Sequence, residues 1–196
     1  DLTGATLSDA SGLVYTFPSL LLGPDEAVVV FGGGVPNFTG SGLSGPWCAA
    51  LPASVHVLAG NGLNLNNTGD TVTLVASDGM TVLDTLAWGV EGGDDQSLNR
   101  DPELDGLAPL VRHRNLAGSV GAFSPGTLAT GVGFDEHVVE PTGDTGIEPT
   151  GDTGVFVSNL VLNEVLADPE SDANCDGTID NGDEFIEVHN PGPNTL

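Results

Sequence analysis

Lysine is absent, and the only arginines are Arg100, Arg112 and Arg114, against 28 Asp and Glu in 196 residues. The formal charge of −25 repels nucleic acid and anionic lipid surfaces and suits a surface that attracts cations. No apolar run approaches the ~20 residues that cross a bilayer, which excludes a membrane-inserted helix. Methionine occurs once and strong helix formers are scarce. The only cysteines, Cys48 and Cys175, lie too far apart for CxxC redox chemistry or a Cys-rich zinc site. There is no leader sequence and no initial Met, so the chain reads as a mature product or a piece of a larger one.

What is present points to β structure. Twenty-nine Gly and 13 Pro favour short strands joined by many turns, and 39% hydrophobic residues suffice for a core. The length fits one sandwich domain plus a linker. Leu13 to Phe17 (LVYTF) reads as a strand, and Ala27 to Phe31 (AVVVF) as a strand buried on both faces. The Gly-rich stretch from Gly32 to Pro52 reads as an irregular loop, followed by a short strand from Val55 to Leu58. Thr71 to Ala76 and Thr81 to Trp88 alternate in polarity, and the Asp78-Gly79 pair between them predicts a hairpin turn. Ser97 to Arg100 forms one further short strand, and the series as a whole predicts a β-sandwich.

After Gly131 the texture changes. Residues 140–147 read EPTGDTGI and residues 148–155 read EPTGDTGV, an octad with no large side chain to bury. Residues 132–156 are therefore an extended, solvated linker between a head (1–131) and a tail (157–196). The tail returns to strand pattern in Leu160 to Leu166 (LVLNEVL) and Glu184 to His189 (EFIEVH), which flank a loop dense in carboxylates.

The runs LNEVLADP and DEFIEVHNPG, followed by DLTGATLSDASGLVYTFP, AVVVFGGG, LNNTGDTVTL and QSLNRDP, resemble the lamin-tail domain in its bacterial secreted and surface form. The resemblance implies an immunoglobulin-like sandwich. It covers nearly all the chain outside the linker, but the order is permuted: the family's opening segment stands here in the tail. Joining Leu196 to Asp1 gives NPGPNTL-DLTGATLSD, which continues the family pattern. The seam fits a boundary between tandem copies, or a tail that completes a sandwich whose head lacks those strands. The head alone would leave open strand edges, and the tail alone is too small to fold. A linker of about 23 residues reaches ~26 Å as a flexible coil and up to ~70 Å extended, so the tail can complete its own head or a neighbour's.

Within the tail, residues 172–183 read DANCDGTIDNGD. Asp172, Asn174 and Asp176 fall at positions 1, 3 and 5 of an EF-hand-type loop, Gly177 at the sharp turn, Thr178 at the backbone-carbonyl position, Asp180 at position 9 and Asp183 at position 12. Ile179 would pack inward, and Glu184 stands just beyond. Calcium needs six to eight oxygens around one point, and this spacing supplies them. The loop resembles those of dockerins, with a strand where a helix would follow; solvated carboxylates in an acidic turn are the plainer alternative. Asp168 is a further ligand or a strand-end turn residue.

Other candidates are weaker. Gly40 to Gly45 fits GxGxxG without a following helix and reads as a loop. Asp94, Asp95, Asp101, Glu103 and Asp105 match no metal loop and read as solvated. His56, His113, His137 and His189 are scattered and read as surface or edge residues. Tyr15, Trp47 and Trp88 suit core or loop anchoring better than a sugar platform. No GxSxG or other nucleophile motif supports an enzyme. The sequence-based expectation is a non-catalytic, calcium-stabilised structural module of an extracellular or cell-surface protein, self-associating head to tail in a fibre. The rival is a ligand- or glycan-binding adhesion module. Cys48 and Cys175 are either bonded, joining head to tail, or two buried thiols.

Overall fold

A computed structural model describes residues 1–40, 46–136 and 160–192; the octad linker and the GxGxxG stretch beyond Gly40 lie outside them, as does His137. The fold is nearly all-β. Ten strands form two sheets: β1 (Thr6–Asp9), β2 (Gly12–Thr16), β3 (Ala27–Phe31), β4 (Val55–Ala59), β5 (Asp70–Val75), β6 (Val82–Trp88), β7 (Leu98–Arg100), β8 (Leu110–Arg112), β9 (Val161–Leu166) and β10 (Phe185–His189). The smaller sheet runs β2-β1-β5-β6 and the larger β4-β3-β10-β9-β7-β8. Strands β1 and β8 escape the sequence reading because each is short and only partly alternating. The β5–β6 hairpin forms as expected, with Gly79 at φ +69° and the Asp78 carboxylate accepting from the amides of Met80 and Thr81.

The two tail strands occupy the centre of the larger sheet. β10 pairs antiparallel with β3, Phe185 opposite Phe31 and His189 opposite Ala27. It pairs on its other side with β9, and β9 with β7. Every residue of β3, β9 and β10 is buried, because this sheet is covered on both faces. One face meets the smaller sheet through Val28, Val30, Leu162, Val165, Ile186 and Val188, packed with Leu7, Val72, Leu74 and Leu86. The opposite face carries Val29, Phe31, Leu166 and Phe185, covered by Ala122, Phe123 and Ala173, with Ala27 under Leu128 and Phe134.

A bulge sets the facing of the polar residues of β9. Glu187 opposes Glu164 while Val188 opposes Leu162, so Asn163 is the extra residue. Leu162 and Val165 thus both reach the inter-sheet core, while Asn163 and Glu164 both point to the other face.

Two expectations need correction. The head extends beyond Gly131: Phe134, placed in the linker by composition, is buried against Ala27 and stacks near His189 with ring centroids 4.5 Å apart. His113 and His189 are wholly buried, because the segment after β8, residues 113–136, folds back over the larger sheet instead of trailing from it.

Phe185 packs against Phe31 and Phe123 from the centre of the sheet. Phe185→Ala is expected to cost about 3–5 kcal/mol, read as a lower urea midpoint at unchanged slope.

Candidate functional site

The acidic loop lies between β9 and β10 and is seated on the head. Asp172 accepts from the amides of Asp176 (3.0 Å) and Gly177 (2.9 Å), and Asn174 Oδ1 accepts from the same Asp176 amide at 2.9 Å. These oxygens converge because the chain turns sharply where Cys175 has φ +63° and Gly177 φ +94°. Asp183 closes the loop from its far end, accepting from the amides of Asn174 and Asp180, both at 3.0 Å. Burial raises the Asp183 carboxyl above the ordinary range, and the negative charge of Asp172 adds to that rise. Asp176 accepts from Thr178 within the loop and from Val35 of the head.

The structure therefore brings Asp172, Asn174, Asp176 and Asp183 to one loop whose own amides occupy their oxygens. Other candidates diverge. Asp180 is exposed and caps the 3-10 turn Asn181–Asp183, accepting from the Gly182 amide. Thr178 is exposed, and Ile179 is 60% exposed instead of packing inward, because the loop's interior is filled by Ala173 and Cys175. Glu184 is a correction: it follows Asp183 at the start of a strand, where successive side chains alternate, and it turns away from the loop. Its carboxyl accepts from the Leu65 amide at 3.2 Å, and burial pushes it up to about 7. Asp168 also sits apart, accepting from the Asn67 side-chain amide and the Asp94 amide. Among the described residues, no group of three or more His, Cys, Asp or Glu side chains is gathered closely enough to hold a metal ion. Of the seven candidate ligands, Asp172, Asn174, Asp176 and Asp183 share one hydrogen-bonded loop, Thr178 and Asp180 are exposed on it, and Glu184 turns away.

What seats the loop is the glycine run after β3, read from sequence only as an irregular loop. Gly32 donates to the Glu184 carbonyl and Gly33 to the Gly182 carbonyl, while Asn174 Nδ2 donates to the carbonyls of Gly33 and Gly182. A Cβ on Gly32 would collide with the Asn181 carbonyl, and one on Gly34 with the Asp176 carboxylate. Three glycines directly after a buried strand are the sequence signal for this close approach. Trp47 adds an anchor, its indole N–H donating to the Asp172 carbonyl at 3.0 Å. Beside it a disulfide joins Cys48 of the head to Cys175 of the tail, with Cα atoms 5.7 Å apart and a sequence separation of 127. On the chain-entropy account, closing so long a loop stabilises by about 4–5 kcal/mol.

The tail is held at two further places. Asn190 Nδ2 donates to the carbonyls of Leu22 and Gly23. Arg100 donates to the carbonyls of Leu162, Ala108 and Thr85 and pairs with Asp84, whose carboxylate accepts from the Leu162 amide at 2.7 Å. Of the acids read as solvated, Asp94, Asp101 and Asp105 are exposed, Asp94 while pairing with Arg112 at 2.8 Å, whereas Asp95 is half-buried and accepts from the Glu170 amide and the Ser171 hydroxyl. Glu103 accepts from the Ala129 amide, and burial pushes its carboxyl up to about 7. A cleft of about 580 Å³ lies beside Trp47, lined also by Pro52, Phe123, Asp135 and Glu136.

Comparison with models of known protein families, with curated proteins and with solved structures finds no match in any of the three. Among the described residues, no helix is long and apolar enough to cross a membrane.

Gly34→Ala tests the seating of the loop. At φ +74° a Cβ is strained as well as obstructed, so a loss of about 1–3 kcal/mol is expected in denaturant unfolding. Gly79→Ala is the control: φ is also positive but the surrounding space is open, so only the backbone part of that loss should remain.

Proposed function

We propose that this chain is a non-catalytic structural module of lamin-tail, immunoglobulin-like type, stabilised by calcium in its tail loop and carried on an extracellular or cell-surface protein. In this reading the head is an acceptor and the tail a donor of two strands. Donation within one chain gives a closed monomer, and donation to the next gives a head-to-tail fibre. The observation that carries the reading is the position of β9 and β10: last in the chain, past an acidic octad linker, yet central in the larger sheet. A head without them would present β3 and β7 as two open edges over an uncovered core. Calcium fits the role because Asp172, Asn174, Asp176 and Asp183 gather negative charge at the point where tail meets head. A cation there would replace amide hydrogens with a stronger charge partner and order the joint. The rival reading, a glycan-binding adhesion module, draws on the cleft beside Trp47, but that indole already spends its N–H on Asp172.

Two measurements test this. Thermal melting with calcium at about a hundred times its Kd, against chelator, is expected to differ by about 5–10 °C; equal melting temperatures would remove the metal from the proposal. Electrophoresis of the native material without reductant, after partial crosslink formation at high protein concentration, is expected to show a ladder that collapses on reduction. A single band whose mobility alone changes on reduction would leave the closed monomer and exclude the fibre.

A further inference from the structure

Glu164 and Glu187 stand directly opposite one another across β9 and β10, and neither exposes any surface. Both lie on the sheet face covered by residues 113–136 of the head, after β8. Glu164 accepts from the Ser124 amide and hydroxyl, each at 2.9 Å. Glu187 accepts from the Gly126 amide at 2.8 Å and the Asn163 side-chain amide at 3.0 Å. All four donors are neutral. The cations of the chain are committed elsewhere: Arg100 to Asp84 and three carbonyls, Arg112 to Asp94, while Arg114 is exposed.

The titratable groups that do face the pair do not neutralise it. His113 Nδ1 lies 3.7 Å from Glu164, but burial lowers this imidazole to about 4, and Arg114 nearby depresses it further. Glu103 adds a third carboxyl from the loop after β7, beside Asp101. His189 follows on β10, wholly buried against Phe134. Two ionised carboxylates in this dry layer would meet desolvation and mutual repulsion with no compensating charge. Burial accordingly pushes Glu164 up to about 7, and burial together with the Glu164 charge raises Glu187 well above the ordinary range.

We propose that the tail seats in the head as a proton-carrying insert, with Glu164 and Glu187 entering the sheet uncharged, so that seating takes up protons and rising pH loosens the joint. The proposal rests on the reading of the tail as a separable donor. The direction follows from linkage. Below about 4.5 both glutamates are protonated whether the tail is seated or free, and the joint has its full strength. Between about 4.5 and 7 only the seated tail keeps its protons, so stability falls as pH rises. For Glu164 the loss is complete above about 7, and Glu187, raised in the same direction, contributes a loss of the same sign.

The test uses the full chain in chelator, which removes any contribution of calcium. Denaturant unfolding between pH 5 and 7 is compared for the native sequence, Glu164→Gln and Glu187→Gln. Each substitution is expected to remove one proton from the linkage, so the unfolding constant should rise about tenfold less per pH unit than in the native chain. Identical pH slopes for all three would overturn the proposal. If a variant does not fold, side-chain carboxyl NMR on the native chain decides: resonances of Glu164 and Glu187 that stay in the protonated form to pH 6 support it, and midpoints near 4.5 overturn it. Energy transfer between two labelled populations of reduced chain separates this idea from strand exchange itself. Exchange that accelerates with pH in the native chain and not in Glu187→Gln supports proton-coupled seating. Exchange at one rate at every pH overturns the coupling and leaves donation between chains standing. A proton-linked slope with no exchange at any pH supports the coupling and retires the fibre.

Discussion

The main-chain pairing of β10 with β3 on one side and β9 on the other is the constraint on which the rest of the molecule depends. A sheet satisfies its amides and carbonyls only through neighbours, and a central strand needs two of them. Here both central strands come from the far end of the chain. Every other head-to-tail contact keeps that pairing in register. The glycines at 32–34 let the loop carbonyls approach, Asn190 ties the end of β10 to the turn before β3, and Arg100 clamps the start of β9 between the sheets. The Cys48–Cys175 bond crosses the same joint covalently.

Charge is managed without cations. With three arginines against 28 acids, most carboxylates cannot find an ion pair, and the fold gives them backbone amides instead. Asp9, Asp78, Asp172 and Asp183 all accept from main-chain N–H groups close in sequence, which is why acidic turns and loops dominate the surface. The same economy explains why Arg100, the one arginine wholly inside, is shared among three carbonyls and a carboxylate: a single buried guanidinium supplies five donors in a planar fork.

Much of the architecture was readable in the residues. AVVVF and the two tail strands carry β-branched runs with nothing else to become, and the Asp-Gly turn marks its hairpin directly. Less readable were features that depend on distant partners. Short β8 gains its identity only by pairing with β7, which itself needs β9. His113 and His189 look polar in sequence and become interior only because residues 113–136 fold across the sheet. In the acidic loop, Asp172, Asn174, Asp176 and Asp183 are drawn into one set of main-chain hydrogen bonds at the joint. Spacing misassigned Glu184 because an EF-hand register continues past position 12 into a helix, whereas here a strand begins and alternation sends the side chain to the opposite face. The covered Glu164 was missed because a bulge at Asn163 breaks the period-two pattern of β9, and Glu187 because the covering segment that buries its face is distant in sequence.

The arrangement of the larger sheet also has a consequence in time. Its two middle strands follow β3, β4, β7 and β8 in sequence, with Arg112 closing β8 and Val161 opening β9. Without β9 and β10, β3 and β7 are left as open edges and the head's hydrophobic faces are not closed. Such a topology is dominated by contacts distant in sequence, which slows folding and prolongs the exposure of sticky edges. The formal charge of −25 then acquires a second value: copies whose sheet is still open repel one another.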